Sequence, residues 1–153
     1  MIKLNVFKGL IFGLLLLLPN TVQARSSDSY AEVGLVYTML LQPTVGYWWG
    51  DYGVRVTGMY QDEAHNEYHL NIGYLLSDDG DVQHAVNLLT SWIVGSDAGA
   101  NYDYAATGIA YSINYYGFFV ELGLAIPWRD NLGNLANDPV VPCGKFGYIY
   151  RFD

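Results

Sequence analysis

Apolar residues recur at every second position along this chain, in segments of about ten residues that each end at a turn signal. A period of two places one set of side chains on one face of an extended strand and the other set on the opposite face. Eight such segments can be read, at 30–40, 44–49, 52–60, 67–76, 82–94, 104–113, 118–126 and 145–152. Turn-forming residues, Gly, Pro, Asn and Asp above all, mark the stretches between them, at 42–43, 50–51, 62–66, 77–81, 95–103, 114–117 and 127–144. Segment 82–94 would also suit a helix, but no segment joins a sustained helical period to strong caps. No linker, low-complexity tract or tandem repeat divides the chain. The pattern predicts an all-β protein.

The first 24 residues read differently. Lys3 and Lys8 supply a basic start, and Leu10 to Leu18 is apolar apart from Gly13. Pro19 ends that run, and Val22, Gln23 and Ala24 present small residues where a signal peptidase reads. This is the order of a cleaved secretory signal peptide, 1–24, ahead of a mature domain at 25–153. The apolar run is about half the roughly 20 residues that a membrane helix needs. The lone Cys143 lies far from the cleavage site, which excludes a lipoprotein signal, and one cysteine excludes a disulfide framework or a Cys-based zinc site.

Charge narrows the class further. The chain of 153 residues has 15 acidic and 7 basic side chains, a net charge of −8 that becomes −10 when Lys3 and Lys8 leave with the signal. So acidic a chain is a poor partner for nucleic acid. Charged residues make up 14% of it, against about 25% in an average soluble domain.

The parity of each strand locates these charges. Ala31, Val33, Leu35, Tyr37 and Met39 oppose Tyr30, Glu32, Gly34, Val36 and Thr38. Tyr68, Leu70, Ile72, Tyr74 and Leu76 oppose Glu67, His69, Asn71 and Gly73, and the later segments follow the same rule. Six charged residues fall inside the segments, all on the less apolar face: Glu32, Arg55, Glu67, Glu121, Lys145 and Arg151. Their signs balance, so the acidic excess belongs to turns and loops. The rest of that face is mostly Gly, Ala, Asn, Ser and Thr, which suits a narrow enclosed lumen better than a water-facing surface. With His69, the six form a candidate lumen charge network. Trp48, Trp49, Tyr52, Tyr60, Trp92, Tyr115 and Tyr116 all stand near turns, as the aromatic girdles of membrane barrels do. Membrane strands need about 9–11 residues each, and the mature length accommodates eight. The expected fold is an eight-stranded antiparallel up-and-down transmembrane β-barrel.

The last strand carries a resemblance. Phe146, Tyr148, Tyr150 and Phe152 alternate along it, which resembles the carboxy-terminal assembly signal of small eight-stranded outer-membrane proteins of Gram-negative bacteria, the OmpA/OmpX-like and OmpW-like group. The class usually ends on the aromatic, whereas Asp153 follows here. The resemblance covers the mature chain as architecture and about its last eight residues as motif. It implies an outer-membrane location, reading of the final strand by the barrel assembly machinery, and both termini in the periplasm. The turns at 50–51, 77–81 and 114–117 would then be periplasmic, and the connections at 42–43, 62–66, 95–103 and 127–144 external. Surrounding lipid and lipopolysaccharide would be the partners, with divalent cations bridging the acidic rims to phosphate.

Function is less constrained. A balanced lumen network is expected to plug so small a barrel; an OmpW-like narrow conduit and a lipid-modifying enzyme are the rival readings. Asp97, Asn101 and Asp103 alternate with Gly99 as calcium ligands often do, and Asp130, Asn131, Asn134, Asn137 and Asp138 crowd the last loop. No complete calcium-loop pattern or closing Glu is present, so turn chemistry is the expected reason and no cofactor is implied. The histidines are His65 in a loop, His69 on the lumen face and His84 near a strand start. Ser91 lies seven residues from His84 and so has the opposite parity; Ser112 has no evident partner. The expectation is a structural or surface-interaction protein, not an enzyme. Cys143, in the long external loop, is expected to be inert.

Overall fold

Alternation becomes a closed wall in the computed structural model, which describes residues 29–61, 65–97, 100–130 and 139–152. Eight strands run β1 (Ser29–Tyr37), β2 (Leu41–Trp49), β3 (Tyr52–Gln61), β4 (His65–Asp78), β5 (Val82–Asp97), β6 (Ala100–Tyr115), β7 (Phe118–Asp130) and β8 (Val141–Phe152). Each pairs with the next, and β8 pairs back with β1, so that the sheet has no free edge. All eight ladders are antiparallel. Segment 82–94, the one place where a helix was a rival, is strand β5. The expected signal peptide and Asp153 lie outside the described residues.

One end of the barrel, here the turn end, carries the tight connections at 50–51, 79–81 and 116–117. Gly50, at φ 59°, opens the first of these, as the leading glycine of a type II′ hairpin does. At 79–81 the Asp79 carboxylate accepts from the N–H groups of Asp81 and Val82, at 3.1 and 2.7 Å. At 116–117 both residues have positive φ, 50° for Tyr116 and 91° for Gly117, the requirement of a type I′ hairpin. The opposite end, the loop end, carries the remaining connections.

The structure moves several boundaries. The first loop-end connection is 38–40, not 42–43, and the second strand spans nine residues rather than the six expected. Pro43 fits inside it because the β2–β3 ladder starts only at Thr44, so that the missing N–H falls where that ladder ends. The stretches 95–103 and 127–144 contribute strand residues on both sides, since β5, β6, β7 and β8 continue their backbone pairing past the Gly, Asn and Pro that read as turns. Cys143 therefore lies on β8, opposite Gly123, and not in a loop. Asp78 and Asp103 also become strand residues, so the strands hold more charge than the six balanced groups. Leu76 is buried rather than facing outward, because a register shift between Leu75 and Ser77 interrupts the alternation.

A second register shift, between Ala105 and Ala106, buries both of these neighbours. Val33, Leu35, Val45, Val56, Ile72, Leu88, Ile109, Leu122, Leu124 and Ile126 are exposed on the outside, while Glu32, Arg55, Glu67, His69, Asn71, Glu121 and Lys145 are buried within. Outside, Val54, Ile72, Leu88, Ile109 and Leu124 stand in one cross-strand row over five strands.

Candidate functional site

The polar groups inside the barrel form levels along its axis. The inward residues of β4 give their order from the loop end: Glu67, His69, Asn71, Gly73, Leu75.

Nearest the turn end is an aromatic and cationic plug. Trp48 is 1% exposed and points inward, so it is not a girdle residue as expected; adjacent strand residues face opposite ways, and its neighbour Trp49, 48% exposed, points out. Trp48 stacks on Tyr30 with ring centroids 6.2 Å apart. Gly53 and Gly73 make room for its ring, since a Cβ at Gly53 would lie on the indole and one at Gly73 would come within 2.6 Å of it. Arg55 lies beside this stack. Its Nε donates to Glu32 Oε1 at 2.5 Å, and its guanidinium carbon lies 4.4 Å from the Phe119 ring centroid. A fully buried cation is tolerated only with this kind of compensation, an ion pair on one edge and aromatic faces on the others. Closer to the turn end, Gln83 donates to the Tyr30 hydroxyl. Arg151 makes a two-nitrogen contact with Asp78 at 2.8 and 3.0 Å and covers the Tyr30 ring at 4.0 Å. Asp78, which the sequence pattern assigns to a turn, ends β4 and is the counter-ion that Arg151 uses.

The middle level is a triangle. Lys145 Nζ lies 3.1 Å from Glu121 Oε1 and donates to Asn71 Oδ1 at 2.9 Å; Asn71 Nδ2 donates to Glu121 Oε2 at 2.5 Å. Glu121 and Lys145 face each other directly across β7 and β8.

Toward the loop end the groups form a relay. His69 Nδ1 lies 2.7 Å from Ser91 Oγ, and His69 Nε2 lies 2.7 Å from Glu67 Oε1. Thr38 Oγ1 donates to the same Glu67 oxygen at 2.9 Å, and Gln42 donates to Thr38 at 3.0 Å. His65 Nε2 lies 3.4 Å from Glu67 Oε2, and its Nδ1 lies 2.7 Å from the Tyr102 hydroxyl. A cavity of about 220 Å³ adjoins the relay. Glu67, His69 and Ser91 line it, with Leu89, Ile93 and Ala106 beside them and Glu121 and Lys145 toward the middle level.

The charge network anticipated from parity is thus three separate clusters, Glu32–Arg55, Glu121–Lys145 and Glu67–His69, with Arg151 in a fourth contact. Sequence spacing sets Ser91 beside His84 alone and gives no sign of its partner. The structure sends His84 outward, where its Nδ1 lies 2.5 Å from the Tyr111 hydroxyl, and pairs Ser91 with His69 across β4 and β5. The inward parity of both residues was available from the sequence; their register was not.

On the outside, Trp49, Tyr52, Tyr115, Tyr116, Phe118, Tyr148, Tyr150 and Phe152 crowd the turn end, and Tyr37, Tyr60 and Trp128 the loop end. Trp92, half-buried, stands opposite the exposed Tyr68. Phe146, Tyr148, Tyr150 and Phe152 all lie on the outer face of β8. Between the two bands the outer face has no Asp, Glu, Lys or Arg among the described residues. Of the weak metal candidates, Asp103 is paired with Arg129 at 3.1 Å, Asn101 stands opposite Ser96 in the β5–β6 ladder, and the side chain of Asp97 lies outside the described residues. Among the described residues no group of three His, Cys, Asp or Glu side chains could hold a metal ion.

No protein-family model matches the chain, and no curated protein matches its sequence. Among solved structures, the barrel is similar to the N-terminal β-barrel domain of OprF from Pseudomonas aeruginosa, at 16% identity and a TM-score of 0.48, over 83% of this chain and 98% of that one.

Proposed function

We propose that this chain is an integral outer-membrane β-barrel protein of a Gram-negative bacterium, exported by a cleaved signal peptide, with a structural or surface-interaction role. The observation that supports the reading is an inverted polarity. The outer wall carries a continuous aliphatic row between two aromatic bands, and the ionised groups are paired inside. In water such a wall would be an apolar patch far larger than a soluble monomer exposes; in lipid it is the required surface. The turn end then faces the periplasm and the loop end the exterior, where acidic rims would meet lipopolysaccharide phosphates through divalent cations. The outward aromatics of β8 would be read by the barrel assembly machinery.

Against a conduit stands the filling of the lumen. Trp48, Arg55, Phe119 and Ile149 are all buried within it, and an eight-stranded interior is narrow enough for side chains to close. Refolding into detergent or lipid tests the barrel: the folded form should migrate differently from the boiled form on a denaturing gel. A chain that never shows this heat-modifiable shift, and remains soluble without detergent, would refute the membrane reading.

A further inference from the structure

We propose that Ser91, His69 and Glu67 form a serine-hydrolase site at the loop end of the lumen, acting on carboxylic esters with a short acyl chain. The inference does not depend on which membrane holds the barrel, because it rests on lumen geometry alone.

The chemistry needs a hydroxyl nucleophile, a base within hydrogen-bond reach of it, and a group that orients the base. Ser91 Oγ and Glu67 Oε1 each lie 2.7 Å from a different nitrogen of the His69 ring. An ionised carboxylate can only accept, so the ring nitrogen facing Glu67 carries the proton. The other nitrogen of the neutral ring is then a bare acceptor, aimed at the Ser91 hydroxyl. A flipped imidazole would turn ring carbons toward both partners, so the two contacts of 2.7 Å fix the ring in this orientation. Glu67 is itself held by Thr38 and approached by His65, which restricts it to the orientation that His69 needs.

A reacting group also has room. The relay lines a cavity of about 220 Å³, a volume suited to a short acyl chain, and Leu89, Ile93 and Ala106 give it an apolar side. Lys145, paired with Glu121, lines the same cavity. Ser91 lines this cavity, whereas Arg55 and Trp48 do not.

The steps balance without a cofactor. Ser91 Oγ forms a bond to the ester carbonyl carbon as its proton passes to His69. The tetrahedral intermediate collapses, the carbon–alkoxy bond breaks, and the leaving alcohol takes the proton from His69. Water then adds to the acyl-Ser91 carbonyl, again giving its proton to His69. Collapse breaks the bond to Ser91, returns the proton to Oγ and releases the carboxylic acid. Ser91 is the nucleophile and His69 the base; Glu67 is a positioning residue.

The test uses the refolded full mature chain in detergent, with p-nitrophenyl butyrate as substrate and a fluorophosphonate as covalent probe. The expected result is saturable hydrolysis, together with one fluorophosphonate adduct that peptide mapping places on Ser91. Ser91→Ala and His69→Gln should each lower turnover by about a hundredfold or more, while Ser112→Ala, in the lumen but outside the relay, should leave it unchanged. Glu67→Gln should lower kcat with KM retained. The gel shift of each variant reports whether it has folded, and adduct mapping on the wild-type chain stands even if a variant fails to fold. Turnover no higher than in empty micelles, an adduct on another serine, or full activity in folded Ser91→Ala would overturn the proposal.

Discussion

Glu32 and Arg55 meet at 2.5 Å across the position of Gly46. Register explains the contact, because Glu32 opposes Gly46 on β2 and Gly46 opposes Arg55 on β3. The three residues form one rung, and only a glycine in the middle lets the outer two touch. A Cβ at Gly46 would lie on the Glu32 carboxylate. Gly46→Ala should therefore lower stability by about 1–3 kcal/mol, as overpacking does, and Gly46→Val by more. Denaturant titration followed by gel mobility measures this, and equal midpoints would count against it.

Removing one member of that ion pair leaves a buried charge without its counter-ion. Arg55→Ala should cost about 3–5 kcal/mol. Replacing Glu32 and Arg55 together should cost clearly less than the two single losses combined, since neither charge is then stranded. Additive losses in a double-mutant cycle would contradict the pairing.

The plug predicts electrical silence. Wild-type protein inserted into a planar bilayer should give no resolvable conductance, whereas combining Trp48→Ala with Phe119→Ala should open an ion path. Stable conductance in the wild type would show that the lumen is a conduit.

The tryptophans should divide by side of the wall. In variants retaining a single tryptophan, brominated lipid should quench Trp49 and Trp92, which face outward, and leave Trp48 largely unquenched. Equal quenching of Trp48 would place it on the lipid side.

Tyr116 combines a left-handed backbone with an acidic neighbour. Its hydroxyl bonds to Asp81, and this contact raises its pKa above the usual 10.0. The protonated phenol is the donor, so the contact is present below the ordinary phenol range and is lost as pH rises through the shifted value. Tyrosinate absorbance, taken as the difference from Tyr116→Phe, should titrate late, and Asp81→Asn should return it toward the ordinary range. Tyr116→Asn should raise the denaturation midpoint, because Asn tolerates φ > 0 better than a bulky aromatic.

Much of the wall was readable residue by residue. The facing of Val33 against Glu32, or of Ile72 against Asn71, follows from the period of two and needs no partner strand. The same rule separates Trp48 from Trp49, although both stand near a turn. The loop ends of the strands are not legible in the same way. Gly, Asn and Pro mark turns only on average, and strands β5 to β8 keep pairing through them because each added rung satisfies backbone groups.

Alternation is local, so the sequence by itself determined an all-β wall of eight strands, with an apolar outside and a polar inside. Pairing is not local. That His69 meets Ser91, that Arg151 finds Asp78, and that Gly46 stands between Glu32 and Arg55 depend on the stagger of neighbouring strands around a closed barrel. A shift of two residues in any ladder would preserve every facing and change every partner. The tertiary structure alone chose the register, and with it the ion pairs of the plug and the relay beside the cavity.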